Sequence, residues 1–243
     1  MRLLLAAVLL VQAATPQSEA DKLEAALKKF GNRSYRIKDG GKEVGTLTVK
    51  TRIEKAGDRK VAVLEDEYAV KFDGVDTTMS YRETASLEGL RLVSGHHKIV
   101  TPGGPVECKI VIKDGKARLQ DGGENPILDI SPTMVGELAV LRLVCAAEQK
   151  RGANFKADLL SLGVPAFEPG HAFRCIGPEQ IQVAGKKVDV FRWEQKGEWK
   201  HKVTVDGQET TLTFVMDKSY WVSPDGYLVR LRFNSLETTI ETK

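Results

Sequence analysis

The sequence predicts a mainly β (α+β) protein: a curved antiparallel sheet or half-barrel meander, with an N-terminal helix and a mid-chain helical insert packed on it. Three observations lead there. Apolar and polar residues alternate with period two over long stretches, the pattern of strands with one buried and one wet face. Glycine-containing turns punctuate that alternation, as they do between neighbouring antiparallel strands. One stretch, Pro126 to Gly170, breaks the rhythm with apolar residues at helical spacing.

The chain opens MRLLLAAVLLVQAATPQ, with a positive Arg2, an unbroken apolar run from Leu3 to Val11, and small or medium residues at Val11 and Ala13. This is the layout of a cleavable secretory signal: residues 1–13 are expected to be removed, leaving a chain that begins Ala14-Thr15. A helix of that run, rising about 1.5 Å per residue, falls far short of a ~30 Å hydrocarbon core. No later run approaches the roughly 18 apolar residues of a membrane helix. The expectation is a soluble protein exported to the periplasm or the extracellular space, and not an integral membrane protein.

Ser18 to Phe30 predicts a surface helix. Ser18 is the cap, Glu19 and Asp21 lie in the first turn, Lys28 and Lys29 in the last, and Gly31 is the stop. Leu23, Ala26, Leu27 and Phe30 form one apolar stripe, which predicts packing on the domain that follows.

From Arg33 to about Gln120 the period is two. In TLTVKTRIE, Leu47, Val49, Thr51 and Ile53 share a face. In VAVLEDEYAVKF, the face of Ala62, Leu64, Tyr68, Val70 and Phe72 also admits Asp66. If buried, that carboxylate needs a hydrogen-bonding or ionic partner. Asp39-Gly40-Gly41, Gly57-Asp58, Asp73-Gly74, Glu88-Gly89 and Asp114-Gly115 are the turns of this meander.

The helical insert is expected at about residues 131–163. Ser131-Pro132 reads as a cap with proline at the first helical position. Met134, Leu138, Leu141 and Cys145 then fall on one stripe, with Val140 and Val144 beside it. Glu137, Arg142 and Glu148 interrupt it, and a helix this apolar is expected to be mostly buried. FKADLLSLG reads as a second short helix stopped by Gly163, and VPAFEPG as a loop. From Ala172 to Lys243 strands resume, divided by turns at Ala184-Gly185, Lys196-Gly197, Asp206-Gly207 and Pro224-Asp225-Gly226. Neither a repeat nor a Ser- or Pro-rich linker interrupts the chain, so 14–243 reads as a single β-rich domain.

Lys plus Arg number 36 against 33 Asp plus Glu, for a net of +3 that falls to +2 once Arg2 leaves with the signal. Charges of both signs are interleaved, which argues against nucleic acid as a partner. The three cysteines, Cys108, Cys145 and Cys175, contain no C-x-x-C. They read either as three buried thiols or as one pair plus a free thiol. If a disulfide forms, Cys145 with Cys175 is the favoured pair, since both border the insert, and Cys108 stays free.

No catalytic, metal or nucleotide motif stands out, and no cofactor is expected. His96 and His97 are adjacent on a strand and so point to opposite faces, which does not suit one metal ion. Cys108 is expected beside the strand that holds them, but without an oxyanion loop or helix N-terminus. Glu65 and Glu67 share a face that reads either as a cation-binding or acid/base pair or, the favoured reading, as a solvated face that protects against edge pairing. Trp193, Trp199 and Trp221, with Tyr220 and Tyr227, read either as core or as a sugar- or lipid-contacting patch.

The closing run YWVSPDGYLVRLRF places Trp221, Asp225, Gly226, Leu228 and Arg230 on a strand, a turn and a return strand. With the long meander and the mid-chain apolar helix, this resembles the half-barrel proteins of the bacterial periplasm: the lipoprotein-localisation carriers and several uncharacterised exported families. In those carriers helices line the open mouth of a curved sheet and an acyl chain sits between. The resemblance implies a binding or carrier module for an apolar ligand such as a lipid or acyl chain. The alternative is a structural or protein-interaction module of the cell envelope with no ligand; an enzyme with an unrecognised site comes third. What separates the first two is whether the Met134–Cys145 helix leaves a void against the sheet.

Overall fold

The computed structural model describes residues 18–72, 74–120, 127–131, 133–161, 166–205, 208–233 and 236–240. The export signal therefore lies outside the described residues, as do Asp73, Pro132, Gly163, Pro165 and the Asp206-Gly207 turn.

Helix α1 (Glu19–Phe30) forms as its caps require: Ser18 Oγ accepts the Asp21 N–H at 3.1 Å, and Gly31, at φ 59°, ends the helix. The meander follows as β1 (Arg33–Asp39), β2 (Lys42–Ala56), β3 (Arg59–Phe72), β4 (Val75–Ser86), β5 (Leu92–Thr101), β6 (Gly104–Lys113), β7 (Lys116–Gln120) and the short β8 (Ile127–Asp129). A two-residue strand, β9 (Val135–Gly136), leads directly into α2 (Glu137–Ala146). The second run is β10 (Asn154–Ser161), β11 (Ala166–Val183), β12 (Lys186–Val205), β13 (Gln208–Val222), β14 (Leu228–Phe233) and β15 (Leu236–Ile240).

All these strands belong to one sheet, in the order β8-β7-β6-β5-β4-β3-β2-β1-β15-β14-β13-β12-β11-β10-β9. Each run is an up-and-down meander, and the two join where β1 pairs antiparallel with β15. The first and last strands thus sit side by side in mid-sheet. The curved sheet does not close into a full ladder. An isolated bridge from Arg91 to Val135, with Leu92 N–H donating to Met134 C=O at 3.1 Å, brings its two limbs together.

The inner face holds the main core. Leu47 and Val49 on β2, Ala62 and Leu64 on β3, Phe173 on β11 and Trp193 on β12 are almost wholly buried there. Both helices pack into the same core, α1 through Leu27 and Phe30 and α2 through Leu138, Leu141 and Val144. A second cluster, with Leu92, Cys108, Ile110, Leu119 and Leu160, lies under β5–β7 and β10. The fold class read from the sequence is the fold observed.

Five local expectations are corrected. Residues 155–161 of FKADLLSLG lie in strand β10, not a helix, and β10 pairs with β11 from Asn154↔Arg174 to Ser161↔Ala166; Leu162 and Gly163 lie outside the described residues. Ala166–Gly170, read as loop, is the start of β11. Lys196-Gly197 is not a turn; β12 runs straight through it, and a Cβ on Gly197 would meet the His171 ring. The mid-chain helix starts at Glu137, after β9, and Glu137–Ala146 is the helical part of the proposed 131–163 insert among the described residues. All three cysteines are buried, and no disulfide joins Cys145 to Cys175 in this structure.

Leu141 is 6% exposed on the inner side of α2. Leu141→Ala should lower unfolding free energy by about 2–5 kcal/mol in urea titration. A loss below about 0.5 kcal/mol would place the helix outside the core.

Candidate functional site

The inner face acquires its chemistry from polar residues that the alternation turns inward. Asp66 on β3 and Glu83 on β4 are 3% and 0% exposed, and α2 lies against both. Arg142, on the helix face turned to the sheet, donates from Nη2 to Asp66 Oδ1 at 2.7 Å. Its other donors reach Thr51 Oγ1 (3.3 Å), Leu138 C=O (3.2 Å) and Lys50 C=O (3.2 Å). The guanidinium also lies 5.0 Å from the Phe30 ring centre, which ties α1 to the pair. A buried ion pair holds only when its remaining polar atoms find partners, and here every guanidinium nitrogen has one.

Glu83 caps the helix from outside it. Leu138 N–H donates to Glu83 Oε1 and Ala139 N–H to Oε2, each at 3.1 Å. These are the orphan donors of a helix start, and the N-cap residue Gly136 has no side chain to satisfy them. A Cβ on Gly136 would collide with the Glu83 carboxyl, so the glycine makes room for the cap. Burial pushes the Glu83 carboxyl up to about 8; the nearby Glu137 charge adds to this, and the two backbone N–H bonds and Arg142 oppose it.

Between α2 and the sheet remains a cavity of about 170 Å³, lined by Asp66, Tyr68, Tyr81, Glu137, Lys218 and Tyr220 with three leucines. It is polar and well below the roughly 300–1,000 Å³ of common small-molecule pockets. Tyr220 O–H donates to Gln195 Oε1 at 2.6 Å, and Gln195 Nε2 lies 3.0 Å from His171 Nδ1, a buried chain leading away from the cavity. Leu138, Leu141 and Val144 of α2 pack into the main core on this side, and this cavity is smaller than a long acyl chain needs. A larger groove of about 590 Å³ lies on the far side of α2, between it, α1 and β10. Leu23, Val135, Leu143, Ala147 and Phe155 line it, and Lys22, Arg91 and Lys156 stand around it with Glu19.

The residues singled out from sequence fall as follows. His96 lies 3.7 Å from Glu107 on the outer face, while His97 is buried and stacked on Tyr81 at 4.1 Å. Cys108 does sit directly opposite His97 in the ladder, buried in the second cluster. Glu65 and Glu67 face solvent within a ladder of cations, with Arg52 at 2.6 Å from Glu65 and Lys50 at 3.0 Å from Glu67. Arg52 holds the Glu65 carboxyl below its usual range. The tryptophans do not form one patch. Trp193 is fully buried inside and donates to Gln149, whereas Trp221 packs with Val183, Val190 and Val229, donates to Glu179 and carries Arg230 and Arg232 over its ring. The side chain of Trp199 lies outside the described residues. Among the described residues no group of three or more His, Cys, Asp or Glu gathers to hold a metal ion, and no helix is long and apolar enough to cross a membrane.

No family model and no curated protein matches the chain. Among solved structures, the chain is similar to a beta-barrel-like protein of the domain of unknown function DUF1849 from Brucella abortus. That likeness has 12% identity and a TM-score of 0.54, over 87% of this chain and 95% of that one. A DUF1089 family protein from Pseudomonas aeruginosa aligns at 11% identity and a TM-score of 0.36, over 74% of this chain and 87% of that one. LprF from Mycobacterium bovis aligns at 8% identity and a TM-score of 0.20, over 92% and 91%. The first likeness shows a shared β-barrel-like fold and nothing of activity; the other two are too slight to carry an argument. Kinship with the lipoprotein-localisation carriers is not among these findings.

Glu83 is raised in the folded chain to about 8 from the ordinary 4.5. Its contribution to stability is present below about pH 4.5 and is lost as pH rises towards about 8. Urea midpoints measured from pH 5 to 8.5 should therefore fall with pH, and Glu83→Gln should flatten that fall. An equal slope in both proteins would assign the pH dependence elsewhere.

Proposed function

We propose that this chain is an exported protein that binds the apolar chain of a lipid-like molecule in the groove between α1, α2 and β10. The groove itself carries the reading. Its volume of about 590 Å³ lies within the roughly 300–1,000 Å³ of small-molecule sites. Leucine, valine, alanine and phenylalanine side chains form its walls, and three cations stand against one carboxylate around it. That arrangement suits an amphiphile with an anionic head at the rim and its tail along Leu23 and Leu143. The secretory layout of residues 1–13 supports an envelope or extracellular setting. The resemblance to the half-barrel carriers implies an apolar ligand too, but one held between the helices and the curved sheet; in this chain the apolar groove lies on the other side of α2.

A second reading, a protein-interaction module, is favoured by one observation. Val111 on β6 and Ile127 on β8 are 46% and 53% exposed and line one surface hollow across β6–β8, and exposed apolar side chains grouped in this way mark interaction surfaces.

Protein recovered from its native envelope should begin at Ala14 and yield a long-chain lipid or fatty acid on solvent extraction. The purified mature chain should bind a fluorescent long-chain fatty acid, and Leu23→Glu or Leu143→Gln should weaken binding by about tenfold or more, roughly 1.4 kcal/mol. Both residues are only half-buried, so each variant should unfold cooperatively, which circular dichroism checks. Failure of the wild-type chain to bind would remove the ligand reading in favour of the second; a retained Met1 would overturn export.

A further inference from the structure

The small cavity on the inner face combines features that the groove does not have. Two opposite charges face it, Glu137 from the first turn of α2 and Lys218 from β13. Neither has an ion-pair or hydrogen-bond partner among the described residues, and they do not bridge each other. Lys218 Nζ instead lies 4.9 Å from the Phe233 ring centre. Asp66 also lines the space, but its charge is matched by Arg142. The uncompensated charges on this wall are therefore one negative and one positive.

The neutral groups extend the pattern. Tyr220 spends its hydroxyl proton on Gln195, so its oxygen is left as an acceptor towards the cavity. The Tyr68 hydroxyl has no partner among the described residues and is available as a donor. Tyr68 and Tyr81 meet edge to face at 5.7 Å and form an aromatic wall, with Leu138, Leu141 and Leu231 as apolar lining. Burial raises the pKa of both Tyr68 and Tyr220, so the two phenols stay neutral. At about 170 Å³ the cavity holds roughly five or six waters at ~30 Å³ each, the size of one small organic molecule and too little for a long acyl chain.

A lone cation would meet Lys218 and a lone anion would meet Glu137. A molecule bearing both charges at its ends satisfies both. We infer that this cavity is a binding site for a small zwitterion of amino-acid size, with its ammonium group at Glu137 and the Tyr220 oxygen and its carboxylate at Lys218 and the Tyr68 hydroxyl. This site is separate from the groove and stands or falls independently of it.

The test is titration calorimetry of the mature chain with glycine, L-alanine, L-serine and L-leucine, beside L-alaninamide and N-acetyl-L-alanine, which each keep one charge. At least one amino acid should bind and raise the unfolding temperature, with the corresponding single-charge analogue at least about tenfold weaker. Glu137→Gln should remove the preference for a free ammonium group and Lys218→Met the preference for a free carboxylate. Both side chains are half-buried, so both variants should keep the wild-type circular dichroism spectrum. No binding by any of the four amino acids at about 10 mM, or equal affinity for the single-charge analogues, would overturn the inference.

Discussion

A carboxylate and a guanidinium sit almost completely out of water at the centre of this molecule, and the rest is arranged around them. Asp66 is set into an otherwise apolar strand face and Arg142 into the middle of a largely apolar helix. Each alone would carry a heavy desolvation cost. Together, with Thr51 and two backbone carbonyls taking the remaining donors, they fix the rotation and depth of α2 against β2 and β3. A buried pair of this kind adds little net stability over apolar packing, but losing one partner costs about 3–5 kcal/mol. Its effect is to select a single docking of the helix. A helix of ten residues is marginal alone in water, so α2 exists because the sheet holds it, through Arg142 in its middle and Glu83 at its start.

That docking decides where a ligand can go. Leu138, Leu141 and Val144 pack into the core on the sheet side of α2, beside a small, polar space lined by tyrosines and opposite charges. The larger apolar space is displaced to the other side of the helix, where α1 and β10 form its walls. The proposed sites and the fold meet at α2: one of its faces completes the core and bounds the cavity, and the other bounds the groove. The helix joins β9 directly, and β9 is also where the two limbs of the sheet touch. A shift of α2 would alter the cavity, the groove and the junction between limbs together.

Much of this was legible in the sequence because the determinants are local. Period-two alternation placed Leu47, Val49, Ala62 and Leu64 inside and Glu65 and Glu67 outside, and the caps Ser18 and Gly31 bounded α1. Asp66 on an apolar face was a signal that a partner existed, and Arg142 was the corresponding oddity in the helix. Nothing local joined residues 76 positions apart. Glu83 was missed for the same reason: its capping role depends on a helix start 55 residues away. Strand β10 was misread because it is buried on both sides, with Leu159 in the main core and Leu160 in the second cluster. Two adjacent buried leucines erase the alternation and mimic a helical stripe. Gly197 looked like a turn, but it is the place where a histidine from the next strand needs room. The groove and the cavity had no sequence signature, since each draws on elements far apart along the chain.

Native-state hydrogen exchange along α2 tests the central claim most directly, since it asks whether the helix opens on its own or only with the sheet. If Arg142 and Glu83 hold α2 as part of the core, the amides of Arg142 to Ala146, bonded within the helix, should exchange only through global unfolding. Their opening free energies should then match those of the most protected β2 and β3 amides. Opening of α2 at a free energy several kcal/mol lower, with β2 and β3 still protected, would show a loosely docked helix and contradict the account.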